Sequence, residues 1–238
     1  MTATATATAA ASATVTTTTQ KLFTAPETWS GGAHGLSIRY AGLATDRLHA
    51  ARDAMWTFPA LEGCWRRHDR EPSAAARLAC TWGLPLDKEL YGIARVPGAS
   101  GIACATRVVA PVPQEPCPLC EACGHGPSGW VDLALPFGAL GRAFPIGAYP
   151  DDGGLSLGLA WREAVDGWLR ALAEHIHRAS PFDLALVGWP DSEVLLPARP
   201  EDVFQQRSLG YLFPGERGLT WFPPTVGATV LGDEELGP

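Results

Sequence analysis

The longest regular pattern of apolar and polar positions runs from Trp161 to Arg178. Apolar residues fall at Trp161, Ala164, Val165, Trp168, Leu169, Leu172, Ala173 and Ile176, the i, i+3, i+4, i+7 spacing of one helix face. Arg162, Glu163, Asp166, Arg170, Glu174 and Arg178 fall mostly on the other face. The spacing predicts an amphipathic helix over 160–178. Asp166 and Arg170 stand four apart with the acid first, which adds about 0.2–0.5 kcal/mol. His175, His177 and Arg178 fill the last turn, where positive charge suits the helix dipole. Ser180-Pro181 stops the helix, because proline cannot continue the hydrogen-bonded ladder. Phe182 to Gly188 then reads as a short apolar strand. Trp161 and Trp168 on one face make this helix the expected anchor of the core. Truncation of Trp168 should be costly. Truncation of Asp166, placed on the polar face, should cost under roughly 0.5 kcal/mol.

Period-two alternation marks strands on either side. Leu36 to Tyr40 alternates apolar and polar. Leu90–Val96 and Ile102–Val109 flank the loop Pro97-Gly-Ala-Ser-Gly101, a hairpin signal. Trp130 to Leu135 alternates again. Leu209–Phe213 and Gly218–Phe222 flank the turn sequence Pro214-Gly-Glu-Arg217. A second, shorter helix is capped by Thr45 or Asp46, carries Leu48, Ala51, Met55 and Trp56 on its apolar face and is ended by Pro59. Ser73 caps a short Ala-rich helix to Cys80. Residues 137–150 are punctuated by Gly and Pro and read as irregular.

These elements predict an α+β fold. Its sheet is mainly antiparallel, a three-strand meander over 90–135 plus edge strands, covered by the one long amphipathic helix 160–178. A βαβ unit from Leu133 through the helix to Leu184, with one parallel strand pair, is the alternative topology.

Composition sets the boundaries. The chain has 238 residues, 46% of them hydrophobic, with nine Trp, enough for one cored domain. Residues 1–28 read as an Ala/Thr-rich tail, 29–230 as a single α+β domain with a Cys-rich insertion at 111–129, and 231–238 as a frayed acidic end. Met1 to Gln20 has no basic region, apolar stretch or Arg, so it is no signal or transit peptide. The net charge of −7 lacks the basic stripe of a nucleic-acid binder, and no apolar run is long enough to span a bilayer. Sixteen Arg against two Lys, and no Asn, point to a GC-rich bacterial genome. A cytoplasmic location is expected, and there the six Cys would be free thiols or metal ligands rather than disulfides.

The chemistry-bearing stretch is Cys117-Pro-Leu-Cys120-Glu-Ala-Cys123-Gly-His125. Two residues between thiolates let both sulfurs face one ion. Cys117, Cys120, Cys123 and His125 could close a tetrahedral shell around one structural zinc ion. The second knuckle of the usual zinc site is missing, and Cys104 is the one further candidate. An iron–sulfur cluster needs a fourth Cys just downstream.

The remaining motifs read as structure. Gly154-Leu-Ser156-Leu-Gly158 has the form of a nucleophile elbow but lacks the strand that must precede one. His175 and His177, two apart on a helix, point in different directions and form no zincin pair. Arg66-Arg-His-Asp-Arg70 reads as a solvated loop, or as a recognition loop for an acidic partner or phosphate. Asp151-Asp152 sits in a turn with no apolar surroundings to shift a pKa.

The expected function is therefore a non-catalytic, bacterial cytoplasmic protein that binds another protein, of inhibitor or immunity type. The other readings are a metal-dependent hydrolase with a site assembled in three dimensions, and a zinc-stabilised adaptor or regulator.

Overall fold

A computed structural model of the chain describes residues 21–42, 45–79, 81, 83–111, 127–147, 160–189 and 196–225. Its described strands are β1 (Ala33–Ala41), β2 (Leu61–Trp65), β3 (Leu90–Ala94), β4 (Ile102–Val109), β5 (Ser128–Pro136), β6 (Leu184–Gly188), β7 (Gly210–Gly215) and β8 (Gly218–Phe222). They form one sheet in the order β2-β3-β4-β5-β1-β6-β7-β8. Every pairing in it is antiparallel. The described α-helices are α1 (Thr45–Trp56), α2 (Phe137–Gly141) and α3 (Ala160–Ala179).

The predicted antiparallel α+β class holds, and β3, β4 and β5 form the predicted meander. The meander is less than half of the sheet, however, and α3 does not cover it alone. The βαβ alternative is corrected. β5 and β6 do run in the same direction on either side of α3, but β1 lies between them and pairs antiparallel with both. No parallel pair forms among the described strands. The reason lies in β1 itself. Leu36 and Ile38 are fully buried on one side, and Ser37 and Arg39 are 9% and 8% exposed on the other. A strand with both faces covered belongs inside a sheet, where each edge finds a partner.

One face of the sheet carries α1 and α3, which pack on each other as well. Leu48, Ala51 and Met55 of α1 join Val165, Leu169, Leu172 and Ile176 of α3 over Leu36, Ile38, Val131 and Leu133. At the end of α1 the ring of Trp56 comes close to Gly63 of β2 and Gly92 of β3. A Cβ built at Gly92 would stand 2.5 Å from that ring, so only glycine lets the indole approach.

The opposite face is covered in two patches. Over β2–β4 lie residues 21–32 and α2. Phe23, 1% exposed, meets Trp65 edge-on, and Trp29 does the same with Tyr91. Residues 21–28, grouped above with the tail, thus belong to the packed body. Two side chains hold them there. Arg142 donates to Lys21 O, Leu22 O and Thr28 Oγ1. The Glu71 carboxylate accepts from the backbone N–H of Leu22, Phe23 and Thr24 and from Thr24 Oγ1. Burial alone would raise the Glu71 pKa, but those bonds to the charged form outweigh it and hold the group below its ordinary value. The second patch lies over β6–β8, where Leu196, Val203 and Leu209 pack on Leu184, Leu186, Tyr211 and Phe213.

Two local expectations fail. The Ala-rich helix from Ser73 is only a single turn, Ala74–Ala76, with no side-chain cap. Part of the stretch read as irregular is helical, since α2 starts directly from β5 at Pro136. Residues 1–20 and 226–238, with the acidic end, lie outside the described residues.

Candidate functional site

The most unusual side-chain cluster joins β1 to α3. The inward alternation of β1 that buries Leu36 and Ile38 also turns His34 towards α3, at 0% exposure. There His34 Nε2 lies 2.7 Å from Asp166 Oδ1. Asp166 Oδ2 lies 3.4 Å from Arg162 Nη2 one helical turn away, and the same nitrogen donates to Ser208 O at 3.1 Å. The ring of Trp161 closes over the imidazole edge-on at 5.3 Å. Arg162 is 2% and Asp166 6% exposed.

Burial pushes the His34 pKa below its ordinary value, and the Arg162 charge adds to that. The hydrogen bond and charge of Asp166 oppose the shift without reversing it. The imidazole is therefore neutral near neutral pH. A carboxylate can only accept, so the ring proton sits on Nε2 and Nε2–H donates to Asp166. A carboxylate that fixes an imidazole tautomer is also the orienting half of a general-base pair. Here the ring is enclosed under α3, and the pair ties a strand to a helix across the core.

Beside this cluster, Arg162 and Asp166 border a shallow cleft of about 250 Å³ that Glu163, Gly167, Arg170, Trp221 and Pro223 also line. The Arg170 guanidinium lies over the Trp221 ring at 5.0 Å, a cation–π contact.

The assignment of Asp166 to a polar face is thereby corrected. On a helical wheel, Arg162 and Asp166 stand on the flank where Ala173 stands, and Ala173 is fully buried. The buried stripe is wider than its apolar residues, because two opposite charges four apart can be buried together when a third partner waits on the sheet. The usable signals were that i, i+4 spacing and a lone His in the Gly-rich stretch 31–35. The partner, far away in sequence, was not readable.

The other sequence candidates that the structure describes do not come together in one site. Cys117, Cys120, Cys123 and His125 lie outside the described residues, as do Ser156 and Asp151-Asp152. Among the described residues no group of three or more His, Cys, Asp or Glu is placed to hold a metal. Cys104 is fully buried in β4, and burial raises its thiol pKa. His175 Nε2 lies 3.1 Å from Thr57 Oγ1. His177 Nδ1 accepts the N–H of Phe182 at 3.3 Å, and burial lowers its pKa. The neutral form thus caps the chain after α3, in place of the positive charge expected for the dipole. Arg66 to Arg70 are all exposed. Within that run Arg67 pairs with Asp69, while the His68 ring sits against Trp29 and Tyr91.

No family model and no curated protein matches this chain. Among solved structures it is similar to a protein described as Pseudomonas aeruginosa T6SS protein PA0821, with 12% identity and a TM-score of 0.26. The match covers 78% of this chain and 59% of that one. A likeness of that size carries no argument about fold or function. No helix among the described residues is long and apolar enough to cross a membrane.

Proposed function

We infer that the chain is a non-catalytic protein-binding protein of inhibitor or immunity type, working in the bacterial cytoplasm. The observation that carries this reading is the difference between the two edges of the sheet. At the β2 edge the backbone is occupied: Leu78 N–H donates to Cys64 O at 2.8 Å and Arg77 Nε to Gly63 O at 2.6 Å. The outer side of β8 has no such strap among the described residues. Such an edge is a template for a strand from another chain. β8 offers half-buried Leu219, Trp221 and Phe222 beside it, and Phe204, 49% exposed, is the most exposed large hydrophobic residue nearby. Aromatic residues and Arg are the side chains most enriched at binding hot spots.

Leu219→Pro tests this reading. Proline removes an edge N–H and is tolerated on edge strands. The rung opposite is Pro214, which already lacks its N–H, so the variant loses at most one ladder bond. A stoichiometric partner that co-purifies with the wild-type chain from its native host should be lost with Leu219→Pro while circular dichroism is unchanged. A chain that always elutes alone and turns over a substrate in a hydrolase panel would move the metal-dependent hydrolase reading ahead.

The Cys cluster is proposed to hold one structural zinc ion through Cys117, Cys120, Cys123 and His125, since four such ligands leave no open position for water. The cluster connects β4 and β5, which pair directly from Ala105–Ala134 to Val109–Trp130. Loss of the ion should therefore leave the sheet folded. Elemental analysis of untagged protein should find close to one equivalent. Less than about a tenth of an equivalent ends the idea, because structural sites bind zinc with about 10–16 kcal/mol.

A further inference from the structure

We propose that the cleft between α1, β2, residues 74–79 and Thr81 binds a small zwitterion of the α-amino-acid class. This site lies at the β2 edge and is independent of the β8 edge. The cleft measures about 460 Å³ and is lined by Asp53, Trp56, Cys64, Arg77, Leu78 and Thr81, among others. That volume is within the range of small-ligand sites.

Two of its lining residues carry charges of opposite sign, Asp53 on α1 and Arg77 just after the Ala74–Ala76 turn. Neither has an ion-pair partner within 4.0 Å among the described residues, each other included. Both are held in place by neutral groups. Arg77 Nε donates to Gly63 O at 2.6 Å, which anchors the guanidinium by one nitrogen and leaves its Nη groups for a carboxylate. Thr81 Oγ1 donates to Asp53 Oδ1, which leaves the second carboxylate oxygen for an ammonium.

The far wall is fixed by a buried cation. Arg52 is 1% exposed and donates to Thr81 O, Leu84 O and Pro85 O at 3.1, 3.0 and 3.0 Å. Three carbonyls on one guanidinium hold Thr81, Leu84 and Pro85 at a set distance from α1, so little ordering cost falls on that part of the wall. Trp56, Leu78 and Ala79 supply an apolar wall for a side chain. Burial raises the Cys64 thiol to about 12, so it stays protonated and acts as one more small apolar group. Arg77 offers its Nη groups to a carboxylate and Asp53 its second oxygen to an ammonium. A molecule with ammonium and carboxylate on neighbouring carbons answers both.

The test is isothermal titration of the full chain with each of the twenty free α-amino acids. For any that binds, the corresponding decarboxylated amine and deaminated acid are titrated as well. At least one amino acid should bind with Kd of about 10 µM to 1 mM, and both monofunctional analogues should bind at least about tenfold more weakly. Arg77→Met and Asp53→Asn should each weaken binding by about tenfold or more, while Arg95→Met, outside the cleft, should not change it. Arg77 is exposed, so its variant is expected to fold and carries the test alone if Asp53→Asn does not. No binding by any of the twenty at about 10 mM overturns the proposal. So does equal binding of an analogue, or undiminished binding by folded Arg77→Met.

Discussion

Asp166→Ala is expected to destabilise the chain by about 3–5 kcal/mol, the usual cost of removing one member of a buried charged cluster. Two groups lose their acceptor at once. The His34 Nε2–H, 2.7 Å from the carboxylate, would face a methyl group, and Arg162 would lose its i, i+4 counter-charge. Asp166→Asn, which keeps an acceptor oxygen, should cost less. Urea denaturation at pH 7 measures both. A value for Asp166→Ala below about 1 kcal/mol would mean that water replaces the carboxylate and that the cluster is not sealed. Linkage supplies a second readout. The unfolded chain protonates His34 near 6.5, whereas the folded chain does so only at lower pH. The contribution of this ring is therefore whole above 6.5 and is lost as pH falls below it, because the unfolded state then binds the extra proton. His177, also lowered, acts in the same direction. His34→Gln should flatten the decline but not abolish it.

Trp168→Ala should cost about 3–5 kcal/mol through lost apolar burial and the cavity left behind. The indole is 5% exposed and meets the ring of Phe58 edge-on at 5.7 Å. Phe58 follows α1, so the cavity would open between the two helices that cover the sheet. Glu163→Ala, on the exposed side of α3, serves as the control and should stay within about 0.5 kcal/mol. A melting curve of Trp168→Ala that overlays the control would place the anchor of the core elsewhere.

What could be read from sequence follows from how local each cause is. The long helix, the β3–β4 hairpin and the β7–β8 pair rest on periodicity and turn residues within a few positions of each other. They appear within a few residues of where the pattern puts them. β2 was not readable, because Leu61-Glu-Gly-Cys-Trp65 has too little alternation over five residues and is held by Tyr91 and Ala94 across the ladder. The central place of β1 was not readable either. Its sequence states that it is apolar on one side, but not that Ser37 and Arg39 are covered by distant segments. The candidate sites divide in the same way. The Cys cluster is contiguous and visible at once. His34 with Asp166, and Asp53 with Arg77, come together only through the fold.

The position of β1 has a consequence for how the chain is made. Leu36 pairs with Leu133 on one side and Val187 on the other, so the earliest of the described strands to be synthesised waits for two of the later ones. Contacts of such long sequence separation must pay their loop-closure entropy before they return any stability, which slows folding. Synthesis at about 5–20 residues per second then leaves β1 without either neighbour for several seconds. During that interval Leu36, Ile38 and Tyr40 form an exposed apolar strand. A nascent chain halted before Val187 would present β1 as a bare edge, and such truncated products should aggregate or be degraded where the full chain stays folded.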